Sequence, residues 1–168
     1  MVTTVHVNVS AGPSKWTKAC QDAVTKLNVL FNRSHINVAL SMSGGSGLTI
    51  AVITDPSIQG SAVHGRTSSE FSDSGKMLRA QVRLPATVTI NTPTGIRDAG
   101  PGILEVIAAH EFVHALGHNT HNSLLMAQTM SKVMGDSAAQ DKLKAGTVEM
   151  PPLKLSAATI TALQTIWT

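Results

Sequence analysis

A single cysteine, Cys20, stands among 168 residues, and tyrosine is absent altogether. One thiol excludes an internal disulfide, so packing must hold the fold, with a bound metal as the other possible support. At helical spacing among apolar neighbours, Cys20 reads as a buried structural thiol and not as a nucleophile. Charged residues are also sparse, at 14%, and the net charge of +3 comes from bases scattered along the chain without any run of Lys and Arg. Phosphate recognition needs a concentrated basic face, so no nucleic acid is expected as a partner. The pI of 9.3 by itself designates no partner. No apolar run approaches the roughly 20 residues that span a bilayer, so no membrane partner is expected either. The opening MVTTVHVNVS alternates apolar and polar residues instead of presenting an apolar h-region, and no signal peptide is read there. Neither internal repeats nor a clear linker interrupt the chain. With 42% hydrophobic residues it suits one compact domain, residues 1–168, with its own core. The sequence sets no oligomeric state.

What is present alternates between strand and helix signals. Val5, Val7 and Val9 recur with period two and predict a half-buried strand. Ser14 is placed to cap a helix whose Trp16, Ala19, Cys20, Ala23, Leu27, Leu30 and Phe31 fall on one face. HINVALSMS and LTIAVITDP, rich in β-branched residues and bounded by Gly-rich and Pro-containing turns, predict two more strands. A strand is expected at Ser61–Ser68, then a polar loop around SEFSDSGK, then a longer strand from Leu78 to Ile90. Pro85 should bend that last strand or leave it paired on one side only.

The helix expected from Gly102 to Leu116, GILEVIAAHEFVHAL, is apolar almost all round, as a helix buried at the centre of a domain would be. Yet Glu105, His110, Glu111 and His114 interrupt it. Burying polar groups without partners costs roughly 1–3 kcal/mol each, so these side chains need a reason, and a metal supplies one. His110 and His114 lie four residues apart, about one turn, and their imidazoles can converge on one ion. Glu111 points to the side of that pair, where its carboxylate can reach a water without ligating the ion, as the general base of an H-E-x-x-H hydrolase does. Imidazole ligands suit zinc, and three protein ligands leave an open position for chemistry. Gly117 ends the helix, since glycine can take the left-handed conformation that turns the chain back.

With these residues in place the sequence resembles the metzincin clan of zinc endopeptidases, whose signature is H-E-x-x-H-x-x-G-x-x-H followed by a Met-turn. His110, Glu111, His114 and Gly117 match it; the third ligand position falls on Thr120, which does not. Histidines flank it at His118 and His121. His121 asks the loop for a bulge of one residue, whereas His118 follows the glycine at once but lies eight residues before Met126, a spacing similar to that of matrixins. His121 is the favoured third ligand and His118 the alternate; the one left over is expected on the solvent side of the loop. NSLLMAQTM resembles the Met-turn, with Met126 as its methionine and Met130 as the alternate. The tyrosine that follows the Met-turn in astacin-like and serralysin-like members has no counterpart. PPLKLSAATITALQTIW is similar to the matrixin C-terminal helix, with Ser156 as cap and Ile160, Leu163, Ile166 and Trp167 as its apolar face.

The resemblance implies an α+β fold: a twisted mixed sheet of about five strands, an N-terminal helix, a buried active-site helix, a Met-turn and a C-terminal helix. It implies one catalytic Zn2+ and a protein or peptide substrate lying antiparallel to the edge strand at Ser61–Ser68. Residues Ala127–Glu149 would wall the pocket beyond the scissile bond. Calcium is not predicted: no loop of strong Asp/Gly character is present, so the calcium dependence of the family is not carried over. A secreted or virus-associated setting is what the resemblance suggests. His64 is expected to face solvent, and His6 and His35 have no spacing that recruits them. The expected activity is peptide hydrolysis with Glu111 as general base. The alternative is a zinc-stabilised, non-catalytic binding or structural module in which both His118 and His121 complete the coordination sphere.

Overall fold

In the computed structural model, the residues described are 1–10, 14–60, 64–73, 75–92, 94–129, 132–133, 141 and 150–168. Val5 and Val7 are buried on the inner face of β1 (Thr3–Val9), as the alternation predicts. The helix α1 (Ser14–Arg33) follows, and Trp16, Ala19, Cys20, Ala23, Leu27 and Phe31 are buried along one side of it. Burial also pushes the Cys20 thiol up to about 12, because the thiolate would be stripped of water there. The capping role expected of Ser14 falls on a side chain outside the described residues. Two strands, β2 (Val38–Ser41) and β3 (Thr49–Thr54), form within the two β-branched stretches and flank β1 in parallel.

The next strands differ from expectation. Instead of Ser61–Ser68, the edge strand is β4 (Arg66–Phe71), with His64 and Gly65 outside it and residues 61–63 outside the described set. RTSSEF has no apolar alternation, since neither of its faces is packed in the core, and so it carries no strand signature. Glu70 and Phe71, expected in a loop, complete the strand. Beyond the strand, Ser72 N–H donates to the Lys76 carbonyl at 2.8 Å and Gly75 N–H to the Ser72 carbonyl at 2.8 Å. The strand expected to run to Ile90 ends earlier: β5 (Met77–Leu84) stops before Pro85, which has no N–H to continue a ladder. The Pro85 carbonyl instead accepts the Trp16 indole N–H at 2.8 Å. Beyond it, β6 (Thr89–Thr92) and β7 (Gly95–Asp98) form a separate antiparallel pair that sequence pattern did not indicate.

The result is an α+β fold with a mixed five-stranded sheet in the order β2-β1-β3-β5-β4. All pairings are parallel except β4 with β5, so β4 is an antiparallel strand at the margin of the sheet. The helix α2 (Pro101–Ala115) packs against α1 and reaches β4 and β5; residues Ile103 to Val113 are all buried. Glu105 finds its partner in Lys26 of α1, at 2.6 Å, and needs no metal to account for it. The helix α3 (Ala157–Ile166) begins where expected: Ser156 Oγ accepts the Thr159 N–H at 3.1 Å. Leu163 and Trp167 are buried beneath it, and the Trp167 indole donates to the Leu116 carbonyl at 3.0 Å. No described helix is long and apolar enough to cross a membrane.

Candidate metal centre

Three structural devices bring the site together. The first is α2, which sets His110 and His114 one turn apart with their Nε2 atoms 3.1 Å from each other. The second is the end of that helix. Gly117 at φ +109° donates its N–H to the His114 carbonyl at 2.9 Å, and His118 N–H donates to the Val113 carbonyl at 3.3 Å. This pair of bonds is a Schellman cap, which reverses the chain and sends residues 118–122 back across the helix end. The third is that returning loop, which places His121 Nε2 at 3.3 Å from His114 Nε2.

The three imidazoles form a cluster whose ligand atoms all lie within 4.8 Å of one another, so His110, His114 and His121 could hold a metal ion. Their spacing fits the group: tetrahedral coordination at about 2.0–2.1 Å puts ligand nitrogens about 3.3 Å apart. The far side of two rings is fixed as well. His110 Nδ1–H donates to the Leu125 carbonyl at 2.7 Å, and His114 Nδ1–H donates to the His118 carbonyl at 2.6 Å, which leaves both Nε2 lone pairs facing the cluster. Burial, aided for His114 above all by the neighbouring His110 charge, holds both imidazoles below the usual range, in the neutral form that a metal takes.

The Leu125 carbonyl comes from a single 3-10 turn, Leu124–Met126. Leu124 takes φ +57°, a conformation that L side chains rarely adopt, and Met126 is completely buried. The other candidate for that methionine, Met130, lies outside the described residues, as does most of the Ala127–Glu149 stretch expected to wall a pocket.

Glu111 sits beside the triad, buried under β4. Thr67 Oγ1 donates to its Oε2 at 2.5 Å. The Gly65 backbone comes so close that a Cβ there would stand 2.5 Å from Oε1. Burial raises the carboxyl pKa, and the Thr67 hydrogen bond with the His114 and His121 charges opposes the rise. Gly65, Arg66, Thr67, His110, Glu111, His114, Asn119 and His121 line one cleft of about 370 Å³. A larger cavity, about 720 Å³, lies between α1 and the start of α2. Among its charged groups Glu105 pairs with Lys26 and Asp141 Oδ1 accepts the Gly102 N–H, while Asp141 Oδ2 is buried without a partner among the described residues; no histidine lines this cavity.

Two histidines depart from expectation. His118, taken as alternate ligand or else a solvent-facing residue, is 5% exposed and outside the triad; its Nε2 is turned to Asn122 Nδ2 at 3.2 Å and Thr159 Oγ1 at 3.3 Å. His64, expected in solvent, is half-buried, with Nε2 shielded and without a partner among the described residues. Thr67, Gly65, Asn122 and Thr159 were not signalled by sequence, because each acts through a contact made only by tertiary folding. No family model matches the chain, and no curated protein matches it.

Proposed function

We propose that this protein is a zinc-dependent endopeptidase with a metzincin-like catalytic domain, and that His110, His114 and His121 hold the ion while Glu111 is the general base. The observation that carries the reading is the convergence of three imidazole nitrogens beside a buried carboxylate, in a cleft bordered by the marginal strand β4. A zinc ion held by three imidazoles supplies Lewis acidity, which polarises a peptide carbonyl and brings the pKa of water down to about 7.

The chain's own groups do the rest. Thr67 occupies Glu111 Oε2, so Oε1 remains to take the proton of the attacking water and deliver it to the nitrogen of the leaving amine as the C–N bond breaks. Among the described residues no strand pairs with the outer edge of β4, and an extended peptide adding there would gain main-chain hydrogen bonds in register with the cleft. Met126 takes the part of the Met-turn methionine, a packing element under the site. An apolar hollow of about 210 Å³, lined in part by Val106, Leu125 and Val133, lies one turn before His110 on the same helix and suits the side chain after the scissile bond. A closed, non-catalytic zinc site would need a fourth protein ligand, and the His118 ring is engaged elsewhere.

The test is zinc content and cleavage of a mixed peptide library, on the native chain and Glu111→Ala in parallel. One zinc in each with cleavage only by the native chain is the expected result. Full cleavage by Glu111→Ala, or no zinc in the native chain, would sink the proposal.

A further inference from the structure

The loop that carries His121 is one residue longer than the metzincin spacing allows, and something has to hold the extra length in place. Its two ends are held by one polar cluster. At the start, His118 is buried with its carbonyl on His114 Nδ1 and its ring Nε2 accepting from Asn122 Nδ2 at 3.2 Å. At the finish, Asn122 donates through the same amide group to Thr159 Oγ1 at 3.0 Å, and its Oδ1 accepts from Ser156 Oγ at 3.2 Å. Asn122 N–H further donates to the Met126 carbonyl at 2.8 Å, which joins the loop to the turn that supplies Leu125 to His110. Thr159 is completely buried, and Ser156 with Thr159 forms the N-terminal cap of α3. Residues 119–121 bulge between these two anchors, and all three are exposed.

We infer that His118, Asn122 and Thr159 are positioning residues of the metal centre: they clamp both ends of the ligand loop to the cap of α3 and thereby set His114 and His121 for the ion. This rests on the zinc reading above, but its hold on the loop is measurable without zinc. The geometry is specific in chemical type. Asn122 offers two N–H donors from one amide, and both acceptors facing it, His118 Nε2 and Thr159 Oγ1, are buried or nearly so. His118 and Thr159 are buried while Asn122 lies exposed at the end of the loop, so removing one member leaves a buried partner short of a hydrogen bond and the loss is felt across the cluster.

The experiment uses the full chain, stripped of metal, and two measurements: zinc affinity by competition with a chromophoric chelator, and amide hydrogen exchange of residues 117–122 before zinc is added. Thr159→Val keeps the shape and removes the hydroxyl; Thr159→Ser restores it. Ile160→Ala loosens α3 packing without touching the cluster. The expected result is zinc binding weakened about 10- to 100-fold in Thr159→Val, near-native binding in Thr159→Ser and Ile160→Ala, and faster exchange at 117–122 in Thr159→Val alone. A His118→Ala variant should behave as Thr159→Val does; if it does not fold, Thr159→Val still decides the matter. Unchanged zinc affinity and exchange in folded Thr159→Val would overturn the inference. A native chain that binds no zinc would overturn the ligand-positioning role together with the metal reading, whereas the exchange data would separately report whether the clamp on the loop exists.

Discussion

Thr67 on β4 donates its hydroxyl proton to Glu111 on α2, across 2.5 Å, and its oxygen also lies 3.3 Å from the Glu111 carbonyl. Two residues along the strand, Ser69 repeats the arrangement with the Ala115 carbonyl, at 3.2 Å. A step of two along a strand thus matches a step of four along the helix, and the sheet margin is stitched to the helix face that bears Glu111. A peptide adding to β4 would be registered against Glu111 through these bonds.

Thr67→Val should therefore lower kcat by about 10- to 100-fold, the worth of a hydrogen bond to a charged group, with little change in KM. Thr67→Ser should retain most activity. The Thr67 bond lowers the Glu111 pKa against the larger effect of burial. Without it the pKa rises, and since the proposed base role of Glu111 needs its carboxylate, the acid limb of kcat against pH should move to higher pH. An unshifted acid limb in an active Thr67→Val would show that Thr67 serves packing alone.

Gly65 contributes by what it lacks. A Cβ built there stands 2.5 Å from Glu111 Oε1 and 2.7 Å from its carboxyl carbon. Gly65→Ala must push the carboxylate aside, and displacing a reacting group by roughly 1 Å costs about 100-fold in rate. Zinc content should be unaffected, since the three atoms nearest the added Cβ all belong to Glu111. Peptide cleavage and metal analysis on the same sample check both halves; loss of zinc would place Gly65 in the metal site instead.

How far the sequence carried this reading depends on how local each signal is. His110, Glu111, His114 and Gly117 are legible because one helix and its cap fix their relation. The choice between His118 and His121 is harder from sequence, since the direction of the His118 ring is set by Asn122 and by Thr159, 41 positions away. Glu105 interrupts the apolar helix as the histidines do, but its partner is Lys26, 79 positions distant, which no local pattern reveals. The edge strand expected at Ser61–Ser68 forms at Arg66–Phe71, with residues 61–63 outside the described set; RTSSEF faces the cleft and the solvent, so it lacks the apolar alternation that marks a half-buried strand.

Zinc should stabilise the fold through mass action. At free zinc 100-fold above its Kd the gain is about 2.7 kcal/mol, so a chelator should lower Tm and zinc should restore it. The pH dependence has a definite sign. Zinc binds neutral imidazole, and burial holds His110 and His114 below the ordinary 6.5. For these two ligands protons therefore begin to compete only beneath that value, so zinc affinity should be fully present at pH 8 and be lost as the pH falls into the acid range. A steep fall already above pH 7 would mean that these imidazoles are charged in the folded chain, contrary to their burial. No effect of chelator or added zinc on Tm would remove the metal centre.

Gly117 joins the fold to the site most directly, because the same residue ends α2 and opens the loop to His121. At φ +109° an L side chain is strained, and the added Cβ would meet Ile166 Cδ1 at 2.9 Å and Phe71 at 3.3 Å. Gly117→Ala should cost about 1–2 kcal/mol in unfolding free energy from the backbone alone. A second consequence separates this glycine from an ordinary helix cap: the displaced turn carries the His118 carbonyl away from His114 Nδ1, so zinc affinity should fall together with stability. Urea unfolding in the absence of metal measures the first effect, and chelator competition in the folded variant measures the second. If stability drops while zinc affinity holds, the His114 ring keeps its orientation without the His118 carbonyl, and the cap acts on the fold without setting the site.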